Sequence, residues 1–221
     1  MDLTDRIERI ISYLLSFIIL LAAAGAFYEE QWLNAFLAAS AFILSYLPSI
    51  IERSFRLGLP VEIEFTFVLF LFVTIYLGEI NAYYTYFWWW DIFLHTLSGV
   101  LLGLVGFILI YIFNSEERIR LHLSPFFVGL FTFVFAVSIG VFWEIFEFGI
   151  DTVFGYDTQH GSLEDTMVDL TVDTFGALLI AMVGYFYVKK VRVPIFDRIV
   201  TKFLEKNPQL FKKWKKQKRV I

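Results

Sequence analysis

Six apolar runs, at residues 10–28, 32–51, 62–79, 90–113, 125–153 and 163–187, constrain this chain more than any other feature. A bilayer's hydrocarbon core is about 30 Å thick, and a helix rising 1.5 Å per residue crosses it in about 20 residues. Each run is long enough to cross, and the fifth is long enough for one end to project beyond the hydrocarbon. The chain is 58% hydrophobic and 20% aromatic, whereas a soluble domain is about half apolar. The fold class read from this is all-α: a polytopic membrane protein with six transmembrane helices. Cysteine is absent, which excludes disulfides, thiolate catalysis and cysteine-ligated zinc or iron–sulfur sites.

Charge sets the expected orientation. Counting connections alternately, every basic residue falls on one side. Arg6 and Arg9 lie before the first run, Arg53 and Arg56 after the second, and Arg118 and Arg120 after the fourth; the other 12 follow residue 188. Positive residues are retained on the cytoplasmic side, so both termini are expected there, in a cell (inner) membrane. The N-terminus imitates a signal peptide, with arginines, an apolar stretch and small residues at 22–26, but Asp2, Asp5 and Glu8 argue for a retained first helix. The expected division is a six-helix domain, 1–190, and a basic tail, 191–221. Ile195, Phe196, Ile199, Val200, Phe203 and Leu204 recur at helical spacing, followed by Phe211 and Trp214 among lysines. That pattern predicts an amphipathic helix on the inner leaflet, drawn to anionic lipid headgroups rather than nucleic acid.

The acids are placed the other way. Asp91 and His95 are four apart at the start of the fourth run. Glu144, Glu147 and Asp151 are spaced three and four apart at the end of the fifth, and Asp165, Asp169 and Asp173 recur every four from the start of the sixth. Helical spacing puts each set on one face, and the topology brings all three faces to the extracytoplasmic side, where Glu79 also ends the third run. No Lys or Arg is on that side to neutralise them. Unpaired buried carboxylates are costly. Such a pocket must therefore hold protons, water or cations. Carboxylates with one imidazole suit a divalent metal: Zn, Mg, Mn or Ca. The candidate ligands are Asp91, His95, Glu144, Glu147, Asp165, Asp169 and Asp173, with Glu147 and Asp169 the candidate catalytic groups. Plainer roles exist for some. Asp91 and Asp165 can cap their helices, and Asp151 and Glu79 can be solvated. Asp157, His160 and Glu164 read as loop residues, His160 being a further candidate ligand, and His122 falls on the other side. Ser98, Gly99, Gly103, Gly140, Gly176 and Ala177 are small enough to let the helices meet closely.

The segments "LGEINAYYTYFWWWDIFLHTLSGVLLG" and "WEIFEFGIDTVFGYDTQHGSLEDTMVDLTVDTFGALL" resemble the YjdF-type family of integral membrane proteins, over about residues 60–184. More distantly, D-x-x-x-H, a helix-borne Glu and D-x-x-x-D/N-x-x-G-A resemble the VanZ-like family, in which the last polar residue is commonly Asn where this chain has Asp173. The VanZ resemblance implies an envelope substrate; the YjdF resemblance implies no particular reaction. Two functions follow from the residues themselves. One is a metal-dependent hydrolase or transferase acting on a lipid or lipid-linked envelope molecule, with Glu147 as general base. The other is a cation or proton transporter using the descending carboxylates. A non-catalytic, metal-stabilised protein is the third expectation.

Overall fold

The structure is a computed structural model, and it describes residues 3–115, 123–155, 158–159 and 163–209. Arg118, Arg120, His122, Asp157, His160, Phe211 and Trp214 lie outside the described residues. The described residues are helical, without strands, and six helices are long and apolar enough to cross a membrane. These spans are Leu3–Tyr28, Trp32–Phe55, Val61–Ile80, Trp90–Tyr111, Pro125–Phe154 and Leu163–Val188. Each coincides with one of the six runs, the first beginning seven residues earlier than the hydropathy suggested. The chain forms two compact units, Met1–Trp88 with Arg198–Ile221, and Trp89–Asp197.

In the first unit, α1 (Leu3–Tyr28) packs against α2 (Trp32–Leu44) and α4 (Val61–Leu71). Ile19, Ala23, Ala38 and Ala41 form the contact, with Phe42, Phe72, Ile75 and Tyr76 against it. The second span is interrupted between α2 and α3 (Leu47–Phe55) because Pro48 has no N–H to give the carbonyl of Leu44, the last residue of α2. Ser45 Oγ donates instead to the Phe42 carbonyl, 2.7 Å away. The third span changes pitch: Phe72–Ile80 continues α4 as a π-helix, ending where the Asn81 N–H donates to Tyr76 O, five residues back. A short helix, α5 (Tyr83–Tyr86), follows and lays the Tyr84 ring over Gly78, where no Cβ would fit.

The second unit is a three-helix bundle of α6 (Trp90–Ser115), α7 (Pro125–Phe154) and α8 (Leu163–Val188), each packed on the other two. Ser124 starts α7, its hydroxyl accepting from Phe127 N–H, with Pro125 in the first turn where its missing donor is harmless. Gly155 ends it in the left-handed conformation, φ +72°. The helices close on small residues, as their spacing suggests. A Cβ at Gly99 would strike the Asp173 carbonyl, and one at Gly176 the Thr96 carbonyl, so α6 and α8 cross backbone against backbone. The other face of α7 exposes Phe142 (69%), Ile145 (58%) and Phe148 (60%), a surface that suits lipid rather than water.

Helix α9 (Pro194–Lys206) departs from the expected use of its apolar stripe. Phe196, Val200, Phe203 and Leu204 are buried within the protein, not offered to a leaflet. An amphipathic pattern records which face is apolar but not whether lipid or protein covers it. Within the first unit, Lys202 Nζ donates to Asp5 (2.6 Å) and Glu62 (2.5 Å). The fully buried Asn207 side chain pairs with the Gly58 backbone, accepting from its N–H (2.8 Å) and donating to its carbonyl (2.7 Å).

Candidate functional site

Helical periodicity puts the acids of α6, α7 and α8 at one end of the three-helix bundle, and packing draws four carboxylates close around His95. Its Nε2 lies 3.7 Å from Asp91 Oδ1, one turn earlier on α6. Its Nδ1 lies 3.3 Å from Asp173 Oδ2 on α8 and 4.0 Å from Glu144 Oε1 on α7. Asp91, His95 and Asp169 each offer a ligand atom within 4.8 Å of the others. Asp173 is fixed from two further directions. Ser98 Oγ hydrogen-bonds its Oδ1, and Gly140 leaves room for Oδ2, which would stand 2.9 Å from a Cβ placed there.

Glu144 is the anomaly of this cluster. It is 4% exposed, and neither carboxylate oxygen has a hydrogen-bond partner among the described residues. A buried polar group without a partner costs about 1–3 kcal/mol, and more when charged. Asp169 and Asp173 are buried beside it, at 3% and 4% exposure. His95 is the one basic side chain among these groups, set against four carboxylates.

The seven sequence candidates separate into two groups. Asp91, His95, Glu144, Asp169 and Asp173 come together. Glu147, one turn beyond Glu144, is half-buried and makes no ion pair with His95, though it lies within electrostatic reach of Glu144, His95, Asp91 and Asp169. Asp165 is half-buried in the first turn of α8, where the helix dipole favours an acid. Asp151 has the plainer role: it accepts from Thr158 N (2.8 Å), Thr158 Oγ1 (2.7 Å) and Gln159 N (2.9 Å), organising the turn after α7. The sequence reading passed over Gln159, whose amide donates to Thr166 Oγ1 and the Glu144 carbonyl. A lone loop Gln carries no spacing signal, and only the fold reveals this tie. Elsewhere, Asp5, Glu8 and Glu62 also converge. There the Lys202 ammonium already supplies the cation, so that cluster is a structural ion pair.

Six helices long and apolar enough to cross a membrane, three of them packed around a buried carboxylate–imidazole cluster, define a polytopic membrane protein with a polar site among its helix ends. The chain belongs to the DUF2238 family of predicted membrane proteins, whose model matches residues 9–190. An uncharacterised protein of Thermotoga maritima is 26% identical over 141 residues, covering 63% of this chain and 70% of its own length. No solved structure matches the chain.

Proposed function

We propose that the chain is a metal-dependent membrane hydrolase or transferase acting on a lipid or lipid-linked envelope substrate. The observation that carries the reading is the convergence of Asp91, His95 and Asp169, whose ligand atoms lie within 4.8 Å of one another in a cluster with four carboxylates and a single imidazole. In this reading Asp91, Asp169 and the Nε2 of His95 hold one divalent ion. Asp173 is a positioning residue: it accepts from the His95 Nδ1–H, fixing the tautomer, and is itself held by Ser98. A carboxylate oriented behind a ligating imidazole is the usual support of such sites. The mixed donor set favours Zn²⁺ or Mn²⁺ over Mg²⁺ and Ca²⁺, which prefer oxygen alone. When bound, the ion supplies a Lewis acid and an activated water. Glu144 and Glu147 are then free to accept a proton, and Asp165 extends the acidic rim.

Other parts of the reading rest on the sequence. They are the cytoplasmic termini, a cell inner membrane location, the YjdF-type and more distant VanZ-like relationships, the division into 1–190 and 191–221, and headgroup contact by the lysines of the tail. Cation or proton transport is the second reading, suggested by the descent from Asp165 through Asp169 to Asp173. Beyond Asp173 and Gly140 the described buried side chains of the bundle are apolar, among them Phe107, Ile108, Ile110, Val128, Ala136 and Ile180. Thr132 is the polar exception, and its hydroxyl is spent on the Val128 carbonyl. That apolar floor favours a closed pocket over a through-path.

Elemental analysis of protein purified without chelator tests the proposal. The unmutated chain is expected to carry about one equivalent of metal, and Asp169→Ala far less. Absence of stoichiometric metal from the unmutated chain would refute metal dependence and turn the cluster into a proton-binding site.

A further inference from the structure

A cavity lies wholly within the first unit, between α1, the junction of α2 and α3, and the start of α4. Its volume is about 240 Å³, and its lining includes Ser12, Ser45, Ser49, Arg53 and Glu64. Arg53 and Glu64 have opposite charges and face the same space. Even so, neither pairs with the other, and neither has a hydrogen bond or ion pair with any other described residue. Arg53 is exposed and Glu64 half-buried, so both charges are open to a ligand entering the cavity. Glu64 lies in the first turn of α4, where the helix dipole favours an acid. Arg53 is placed in the same way, in the last turn of α3, where the dipole favours a cation, so both helix ends present their charges to one space.

The hydroxyls are polarised. Ser12 Oγ donates its proton to the Glu8 carbonyl (3.0 Å), and Ser45 Oγ donates to the Phe42 carbonyl (2.7 Å). Each hydroxyl has one proton to give, so both offer the cavity lone pairs alone. With Glu64 they make a set of acceptors suited to an ammonium, which has three donors and no acceptor. Arg53 brings the opposite chemistry, a fork of N–H donors that matches phosphate. Tyr13 and Tyr46 flank the cavity at 59% and 49% exposure, and half-exposed tyrosines on membrane helices mark the depth of the headgroups.

We infer that this cavity binds a phosphoethanolamine-type zwitterion, with its ammonium against Glu64, Ser12 and Ser45 and its phosphate against Arg53. The same chemistry exists as a phospholipid headgroup and as a free solute, and the test separates them. Full-length protein, stripped of lipid in maltoside detergent, is titrated with dioctanoyl phosphatidylethanolamine, dioctanoyl phosphatidylglycerol and soluble phosphoethanolamine, with binding read by native mass spectrometry. Phosphatidylethanolamine is expected to bind at least about tenfold more tightly than phosphatidylglycerol, which has the phosphate but no ammonium. Glu64→Gln abolishes that preference, and Arg53→Gln weakens both lipids by about tenfold. Binding of soluble phosphoethanolamine as tight as the lipid's assigns a free solute, and binding of the lipid alone assigns a headgroup; either supports the site. The headgroup preference of the unmutated protein does not depend on any variant folding. Failure of all three ligands to bind, equal affinity for the two lipids, or a preference that survives in Glu64→Gln overturns the inference.

Discussion

Replacing Gly140 by alanine changes no charge and removes no polar atom, so it tests the cluster through geometry alone. The new methyl carbon would stand 2.9 Å from Asp173 Oδ2, and ordinary contact begins near 3.4 Å. The carboxylate must therefore retreat by about 0.5 Å. A free side chain would do so at little cost. This one is held by Ser98 on Oδ1 and by His95 Nδ1 on Oδ2, the latter already at 3.3 Å. The His95 contact is already long, so a shift of the carboxylate by about half an ångström away from the imidazole is enough to carry it beyond hydrogen-bond range. Overpacking of this kind costs about 1–3 kcal/mol, here toward the lower end because the obstacle is a side-chain tip rather than backbone. With His95 no longer oriented, metal affinity is expected to fall about tenfold or more. The assay pairs a thermal melt in detergent with competition titration against a metallochromic chelator. A Gly140→Ala protein that melts and binds metal like the unmutated chain refutes the positioning role of Asp173. A variant with a lowered melting point but unchanged affinity shows that the α7–α8 contact is tight but irrelevant to the site.

Other outcomes follow from the same contacts. Ser98→Ala releases one oxygen of Asp173, and metal affinity is expected to fall about tenfold while stoichiometry stays unchanged, unlike Asp169→Ala. Asn207→Ala removes both bonds to Gly58 at a fully buried position and should lower stability by about 1–3 kcal/mol in a detergent melt. Lys202 gives a pH dependence. Partial burial opposes its charge, but hydrogen bonds to Asp5 and Glu62 outweigh that and raise its pKa above the usual lysine value. A group whose folded pKa is raised contributes its stability in full below the unfolded pKa and loses it as pH rises through the folded one. Protection of the α9 amides, read as exchange relative to the base-catalysed intrinsic rate at each pH, should therefore hold through neutral and mildly alkaline pH and fall only above the ordinary lysine range; Lys202→Gln should lower it already at pH 7. Gly155→Ala places a side chain at φ +72° with open space around it, so its cost is conformational alone, about 1–2 kcal/mol in the same melt.

The spans were legible because crossing a membrane demands length and apolarity, and both are local properties of a sequence. The π-helical stretch at Phe72–Ile80 was not. Its composition is that of any apolar helix, and nothing in its spacing signals the wider pitch. The pairs Asp91/His95 and Asp169/Asp173 stood out because a four-residue interval puts side chains on one helical face, and Glu144 because it lies three residues before Glu147 at the end of the fifth run. The selection among them was hidden. Whether Glu147 or Glu144 meets the imidazole depends on how α7 is rotated against α6 and α8, which the sequence constrains only through its small residues. Ser98 and Gly140 were visible as packing residues, but their grip on Asp173 exists only once three helices are assembled. Helix α9 misled for a related reason: a stripe of Phe196, Val200 and Phe203 is equally suited to acyl chains and to a protein groove.

The backbone crossing at Gly99 and Gly176 has a consequence for the cluster it adjoins. Two helices touching main chain to main chain act like the closed jaws of a calliper, because the gap between them has no side chains that could repack to alter it. Asp173 lies on one jaw, with its own carbonyl in the contact, and His95 lies one turn from Gly99 on the other. The spacing between donors on α6 and α8 is thus set by the peptide backbone. If the cluster holds a metal as proposed, rigidity of this kind would discriminate by ionic radius, disfavouring a cation that needs a wide, adaptable shell.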